Sequence, residues 1–293
     1  MKFLNYIARN ARRNPIRSLL TVASIGSSLF LMMILVAYLS INDEAMKSRV
    51  IHNRIVTMSA QGFARPVPLT LVGEVAAMDG VAAATPFSWF GGKVGEETIP
   101  FAQFGIDPEM FFAVYDELTV PPDQLKAFRG DKAGCVIGRK LAADRKLKPG
   151  DPLPLKGTIY PFDLNLTVRA IYDGPEDSNL RVCYFNLDYL DEGLKAGGNA
   201  KRAGNAGTVF AKCKSSAVMP AVGQRIDVAT RNSDNPTRTQ TEEAFGKMFA
   251  EMAGDMRTVL KIVCLAVVVS LLCVASVAMA MSMRERTSEV AVL

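Results

Sequence analysis

The sequence predicts a membrane protein with two transmembrane helices flanking an extracytoplasmic α+β domain on a helical stalk. Three observations carry that expectation. Residues 18–41 hold no charge, residues 259–281 hold only Lys261, and the 216 residues of 43–258 read like an ordinary globular domain. At about 1.5 Å per residue each apolar segment reaches roughly 35 Å, enough for a hydrocarbon core of about 30 Å. A helix in a soluble core seldom stays uncharged for that length.

Charge sets the sides. Lys2, Arg9, Arg12, Arg13 and Arg17 precede the first span with no acid among residues 1–17. Basic residues beside a span stay in the cytoplasm, so the N-terminus is expected inside and the domain outside. Arg284 and Arg286 follow the second span and agree. The formal charge of +5 is therefore not a nucleic-acid footprint: residues 43–258 carry 26 basic and 27 acidic side chains, no excess with which to neutralise phosphates. A cleaved signal peptide would need an apolar run of about 7–15 residues and a small-residue cleavage site. Ala37-Tyr38-Leu39-Ser40 offers no A-x-A pattern, so an uncleaved anchor is expected.

The segment after the first span, 42–50, lacks Gly and Pro and reads as a continuation of its helix. Strands are expected at 54–59, 81–90, 98–105, 134–137, 163–172, 181–185 and 208–212, and helices at 69–78, 109–117, 139–146 and 216–230. Gly91-Gly92, Lys148-Pro149-Gly150-Asp151-Pro152 and Asp173-Gly174-Pro175 punctuate them. Before the second span, Thr241-Glu242-Glu243 reads as a helix cap with acids in the first turn. Phe245, Met248, Phe249, Met252 and Met256 then recur at helical spacing as one apolar stripe. That stripe fits either a helix packed on its own domain or a stalk pair rising from the bilayer; the stalk is favoured because both helices run into spans.

Chemistry-bearing motifs are absent. His52 is the only histidine, no G-x-S-x-G appears, and 134–138 lacks the G-K-[ST] of a phosphate loop. No catalytic residue, cofactor or metal is expected. Small residues at Ala23 and Ser27, at Ala266 and Ser270, and at Ser276 and Ala280 would let helices approach closely. Cys264 and Cys273 lie in the second span, while Cys135, Cys183 and Cys213 fall in the domain. An odd number without C-x-x-C reads as buried free thiols, with one disulfide the open alternative.

Several segments resemble one family. Asn14-Pro15-Ile16-Arg17-Ser18-Leu19-Leu20-Thr21 is similar to the opening of MacB/FtsX-type ABC transporter permeases. Phe104-Gly105-Ile106-Asp107-Pro108 resembles that family's x-G-v-d-p turn, and Cys135-Val136-Ile137-Gly138-Arg139-Lys140-Leu141-Ala142 through Leu147-Lys148-Pro149-Gly150-Asp151 its v-l-G-x-x-L-A…l-k-x-G-D segment. Thr239-Gln240-Thr241-Glu242 fits the start of the stalk. Met283-Arg284-Glu285-Arg286-Thr287-Ser288-Glu289-Val290-Ala291-Val292-Leu293 is close to its R-x-R-E-[IV]-[AG]-[VL]-L cytoplasmic segment.

The resemblance implies a permease subunit, or its N-terminal part, of an ABC transporter in a bacterial inner membrane. It would transmit ATPase-driven motion to a periplasmic domain for export or extraction of a substrate, with ATP hydrolysis in a separate subunit. The implied partners are that ATPase, a second permease copy or homologue, the bilayer, and a periplasmic or outer-membrane protein. Arg284, Glu285, Arg286 and Glu289 become candidates for docking the ATPase, and Phe245, Met248, Phe249, Met252 and Met256 for stalk contacts. The expected organisation is a basic N-terminus (1–17), a span (18–41), the MacB-like domain (42–240), a stalk helix (241–258), a span (259–281) and the start of a coupling segment (282–293). Family members continue into two further spans, so a chain stopping at Leu293 is read as a truncated permease or a split gene product. The other class of function is a two-span sensor binding an extracytoplasmic ligand.

Overall fold

A computed structural model describes residues 52–95, 101–175 and 178–248, with Gly26, Phe30, Met33, Ile262, Leu265, Val268, Val269 and Ser276 besides. The chain divides into two units, Arg49–Lys247 and Met1–Ser48 with Met248–Leu293. Both expected spans belong to the second unit and, apart from those eight positions, lie outside the described residues. All eight are helical. Phe30, Met33, Ile262 and Leu265 expose 62–69% of their surface. Among the described residues no helix is long and apolar enough to cross a membrane.

Unit Arg49–Lys247 is built on one nine-stranded sheet. Its strands, in chain order, are β1 (Arg54–Ser59), β3 (Val81–Trp89), β4 (Ala102–Ile106), β5 (Gly134–Gly138), β6 (Pro152–Leu155), β7 (Leu164–Tyr172), β8 (Val182–Asn186), β10 (Thr208–Cys213) and β11 (Thr237–Thr241). Across the sheet the order is β11-β1-β10-β3-β4-β8-β5-β7-β6, while β2 (Val67–Pro68) and β9 (Asn205–Ala206) form a separate pair. Pairing is antiparallel except for β4 with β8 and β5 with β7.

Two helical layers cover this sheet. One face carries α2 (Phe111–Val114) and α3 (Pro122–Arg129). Phe111, Val114 and Phe128 from these helices join Phe87, Ile106, Val136, Tyr172, Tyr184 and Phe210 in a single core. The other face carries α1 (Thr70–Ala76) and α6 (Met219–Thr230) over β11, β1, β10 and β3, and α4 (Arg139–Arg145) and α5 (Leu187–Ala196) over the remaining strands. Strands covered on both faces read as continuous apolar runs, and β5 and β8 are buried at every position.

Most expected elements appear within two residues of their predicted ends. The exceptions have physical causes. The helix expected over 109–117 stops at Val114, because Tyr115 leaves helical geometry (φ −110°, ψ 60°) to reach the buried group described below. β11 was invisible to apolar periodicity, since Thr-Arg-Thr-Gln-Thr contains no apolar residue. β6 carries two prolines, tolerable only because it is an edge strand. α5 is a clear amphipathic helix once Asn186 is seen as its cap: the Asn186 side chain accepts from Asp188 N at 2.9 Å, and Leu187, Leu190 and Leu194 are its buried stripe.

The motifs shared with the family turn out to be turns and close approaches. Gly138 joins β5 to α4, and a Cβ there would lie 2.2 Å from the Leu180 carbonyl oxygen. That carbonyl cannot withdraw: it accepts from Leu141 N at 3.1 Å, satisfying one of the unpaired donors in the first turn of α4. Asp107 Oδ1 accepts from Glu109 N at 2.8 Å and starts the turn into α2. Gly150 has φ +103°, a conformation that favours glycine, and Asp151 Oδ2 accepts from Lys148 N at 2.8 Å across the same turn.

Candidate functional site

The chain enters and leaves the domain at one place. β1 and β11 are antiparallel neighbours with Ile55 opposite Thr241, so Arg54 at the start of β1 stands beside Glu242 at the end of β11. Residues 242–248 are helical. Thr241 Oγ1 accepts from Ala244 N at 3.1 Å, the expected cap, and Glu242 and Glu243 occupy the first turn where the helix dipole favours acids.

Arg54 organises this junction. It is only 3% exposed, and its guanidinium meets two carboxylates, a carbonyl and a ring. Nε donates to Glu242 Oε2 at 2.7 Å, and one terminal nitrogen donates to Glu117 Oε2 at 2.8 Å and to the Val114 carbonyl at 3.3 Å. The guanidinium carbon lies 4.0 Å from the centre of the Tyr115 ring, and Tyr115 Oη donates to Glu242 Oε1 at 3.2 Å. A planar fork that binds two carboxylates and stacks on a ring is a task for Arg and not for Lys. Around it, His52 Nε2 is 3.8 Å from Glu117 Oε1, and Lys212, opposite Arg54 on β10, pairs with Asp116.

The electrostatics favour a fixed arrangement. Burial opposes the Arg54 charge, but the hydrogen bond from Glu117 and the fields of Tyr115 and Glu242 outweigh it and raise the pKa. Burial, followed by the Glu242 charge, pushes the Tyr115 hydroxyl well above its ordinary range, so it remains a donor. The Lys212 ammonium holds the Asp116 carboxyl below its usual value. Two strands, the segment after α2 and the outgoing helix are thereby joined by charge-assisted bonds. Nothing in the arrangement resembles a nucleophile with a base.

A packed set of rings adjoins the junction. Phe245, on the outgoing helix, meets Phe63 and Phe210 with centroids 5.8 Å away in each case. Phe210 packs on Phe87 at 4.4 Å, and Phe111 packs on Tyr184 at 4.4 Å. The first turns of the helix therefore pack on their own domain. Met248 is the last described residue of the stripe. Phe249, Met252 and Met256 lie outside the described residues, as do Arg284, Glu285, Arg286 and Glu289. Sequence reasoning missed Arg54, Tyr115 and Glu117 altogether. The available signal was an arginine opening an otherwise uncharged strand, Arg-Ile-Val-Thr-Met-Ser.

Among the described residues no group of three His, Cys, Asp or Glu side chains is placed to hold a metal.

The extracellular domain of the noncanonic ABC-type transporter YknZ from Gram-positive bacteria is similar at TM-score 0.47 and 15% identity, over 64% of this chain and 100% of that one. The periplasmic region of MacB from Actinobacillus actinomycetemcomitans is similar at TM-score 0.48 and 10% identity, over 69% of this chain and 94% of that one. A domain of a permease protein from Porphyromonas gingivalis has TM-score 0.40 and 11% identity, over 64% and 88% of the two chains. No curated protein matches the chain. The family model of the MacB-like periplasmic core domain matches residues 18–229, most of the sequence, and the chain belongs to that family.

Proposed function

We propose that this chain is a permease subunit, or its N-terminal part, of an ABC transporter, and that it carries ATPase-driven motion across the inner membrane to its periplasmic domain. The observation that carries this reading is the junction: one buried arginine ties the incoming strand to the outgoing helix. Displacement of either chain end then reaches β1, β11 and the ring cluster together, because a close-packed interior transmits strain. The exposed apolar side chains at Phe30, Met33, Ile262 and Leu265 support two lipid-facing segments. Arg284, Glu285, Arg286 and Glu289 form the docking segment for a separate ATPase, and the stripe Phe249, Met252 and Met256 continues the stalk.

The test is co-purification of an ABC ATPase with the full chain from bacterial membranes, at low and high salt. Wild type should retain the ATPase. Glu289→Lys, which reverses a charge at the rim of the docking segment, should weaken recovery at low salt. Equal recovery from both at both salt concentrations would remove Glu289 from the docking surface, and no recovery of any ATPase would overturn the transporter reading.

A further inference from the structure

β5 and β8 are antiparallel neighbours, with Cys135 opposite Phe185 and Ile137 opposite Cys183. Cys135 and Cys183 are thus diagonal partners. They also share a face: both belong to the core that contains Ile137 and Phe185, whereas Val136 and Tyr184 face the other way. Both are fully buried free thiols, and burial, followed by the influence of neighbouring Cys135, raises the Cys183 pKa. A diagonal pair stands wider than a directly opposed one. Here the pairing of β5 with β7 shifts register between Cys135 and Val136, an irregularity that bends a strand and increases its local twist. Cys213 lies in the separate core beneath α1 and α6.

We propose that Cys135 and Cys183 are a modification site, a thiol pair that oxidises to one disulfide across β5 and β8 while Cys213 stays reduced. The family places this domain outside the cytoplasm, where disulfides form and persist. The oxidant is a dithiol–disulfide oxidoreductase. One cysteine thiolate attacks the donor disulfide to give a mixed disulfide, and the second cysteine attacks that bond. The donor leaves as a dithiol with two electrons, and the two protons lost by the cysteines balance those it gains. Neither sulfur is accessible in the folded domain, so exchange takes place before β5 and β8 close. Once closed, the core holds the bond against reductant.

This inference rests on the register of two strands and on the domain's location, not on the ATPase or on transport. The full chain is expressed in a bacterium with an oxidising periplasm, quenched in acid, denatured, alkylated with N-ethylmaleimide and weighed before and after trypsin without reductant. The chain holds five cysteines, so the expected intact protein carries three alkyl groups. The expected digest links peptide 133–139 to peptide 182–195, at least ten-fold over the separately alkylated forms. Dithiothreitol should break the link only when denaturant is present. In a second arm, the chain is reduced, unfolded and refolded in glutathione redox buffer, and the same link is expected. Five alkyl groups in either arm, or a link that includes Cys213, overturns the proposal.

Discussion

At the scale of single residues, Arg54 has the largest predicted effect. Its removal leaves Glu117 and Glu242 facing each other in a half-buried space without their shared cation. Breaking a buried pair from one side costs about 3–5 kcal/mol in comparable sites. Arg54→Met should therefore lower the stability of the domain by about 3 kcal/mol in denaturant titrations of the full chain. Arg54→Lys should recover only a part, because an ammonium cannot hold both carboxylates and stack on Tyr115. A loss below about 0.5 kcal/mol, the range of ordinary surface substitutions, would show that the network does not hold the junction.

Asp191 gives a second residue-level test, this time through pH. Burial raises its pKa, Oδ2 accepts from Gly204 N at 2.8 Å, and Oδ1 is buried without a partner. A carboxyl with a raised folded pKa keeps its proton to a higher pH in the folded state than in the unfolded chain. Its favourable contribution is complete below the unfolded value of about 3.9 and is lost as pH rises through the folded value. Asp191→Asn should flatten this part of the stability profile above about pH 4. An unchanged profile from pH 3 to neutrality would rule out the raised pKa.

At the scale of elements, β11 shows how a strand survives without apolar residues. Asp227 on α6 accepts from Thr239 N at 3.0 Å, from Thr239 Oγ1 at 2.8 Å and from Thr237 Oγ1 at 3.2 Å. Thr237 N donates to Thr230 Oγ1 at 3.2 Å, so α6 side chains close the outer edge that a terminal strand would leave open. Asp227→Asn exchanges an acceptor for a donor facing donors. Faster hydrogen exchange at the Thr237 and Thr239 amides is the expected result, with little change in β6 at the opposite edge. Uniform protection of β11 in the variant would show that its pairing with β1 alone is sufficient.

Gly138 tests the reading of the family motif as architecture. Gly138→Ala places a methyl group against the Leu180 carbonyl, which is fixed by its bond to Leu141 N. The β5–α4 corner must then open, and a loss of folded protein, read as the near-ultraviolet circular dichroism of the purified chain, is expected. Normal folding would mean that the 178–181 segment can move aside.

These elements also show what the sequence made legible. β1, β5 and β7 announced themselves through apolar runs between turn residues, and the Thr241 cap through its acids. β11 did not, because its affinity for the sheet comes from Asp227, 12 residues away in the chain. The junction was hidden for a related reason. Arg54, Tyr115, Glu117 and Glu242 come together only through folding, Arg54 and Glu242 standing 188 positions apart in the chain. No local pattern marks a contact of that separation, whereas spans, caps and turns are local by nature.

At the scale of the whole molecule, the MacB-like domain is extracytoplasmic, and β1 and β11 bring its two ends to one junction. The proposed orientation, with the N-terminus inside, rests on the five basic residues before the first apolar segment, with no acid to balance them. Gly198 suits a fusion because it is an exposed turn residue at φ +78° with open space around its α-carbon. The most direct measurement is a reporter enzyme active only outside the cytoplasm, fused at Gly198 or after Leu293. Activity at Gly198 and none after Leu293 is predicted. Activity after Leu293 with silence at Gly198 would contradict the account.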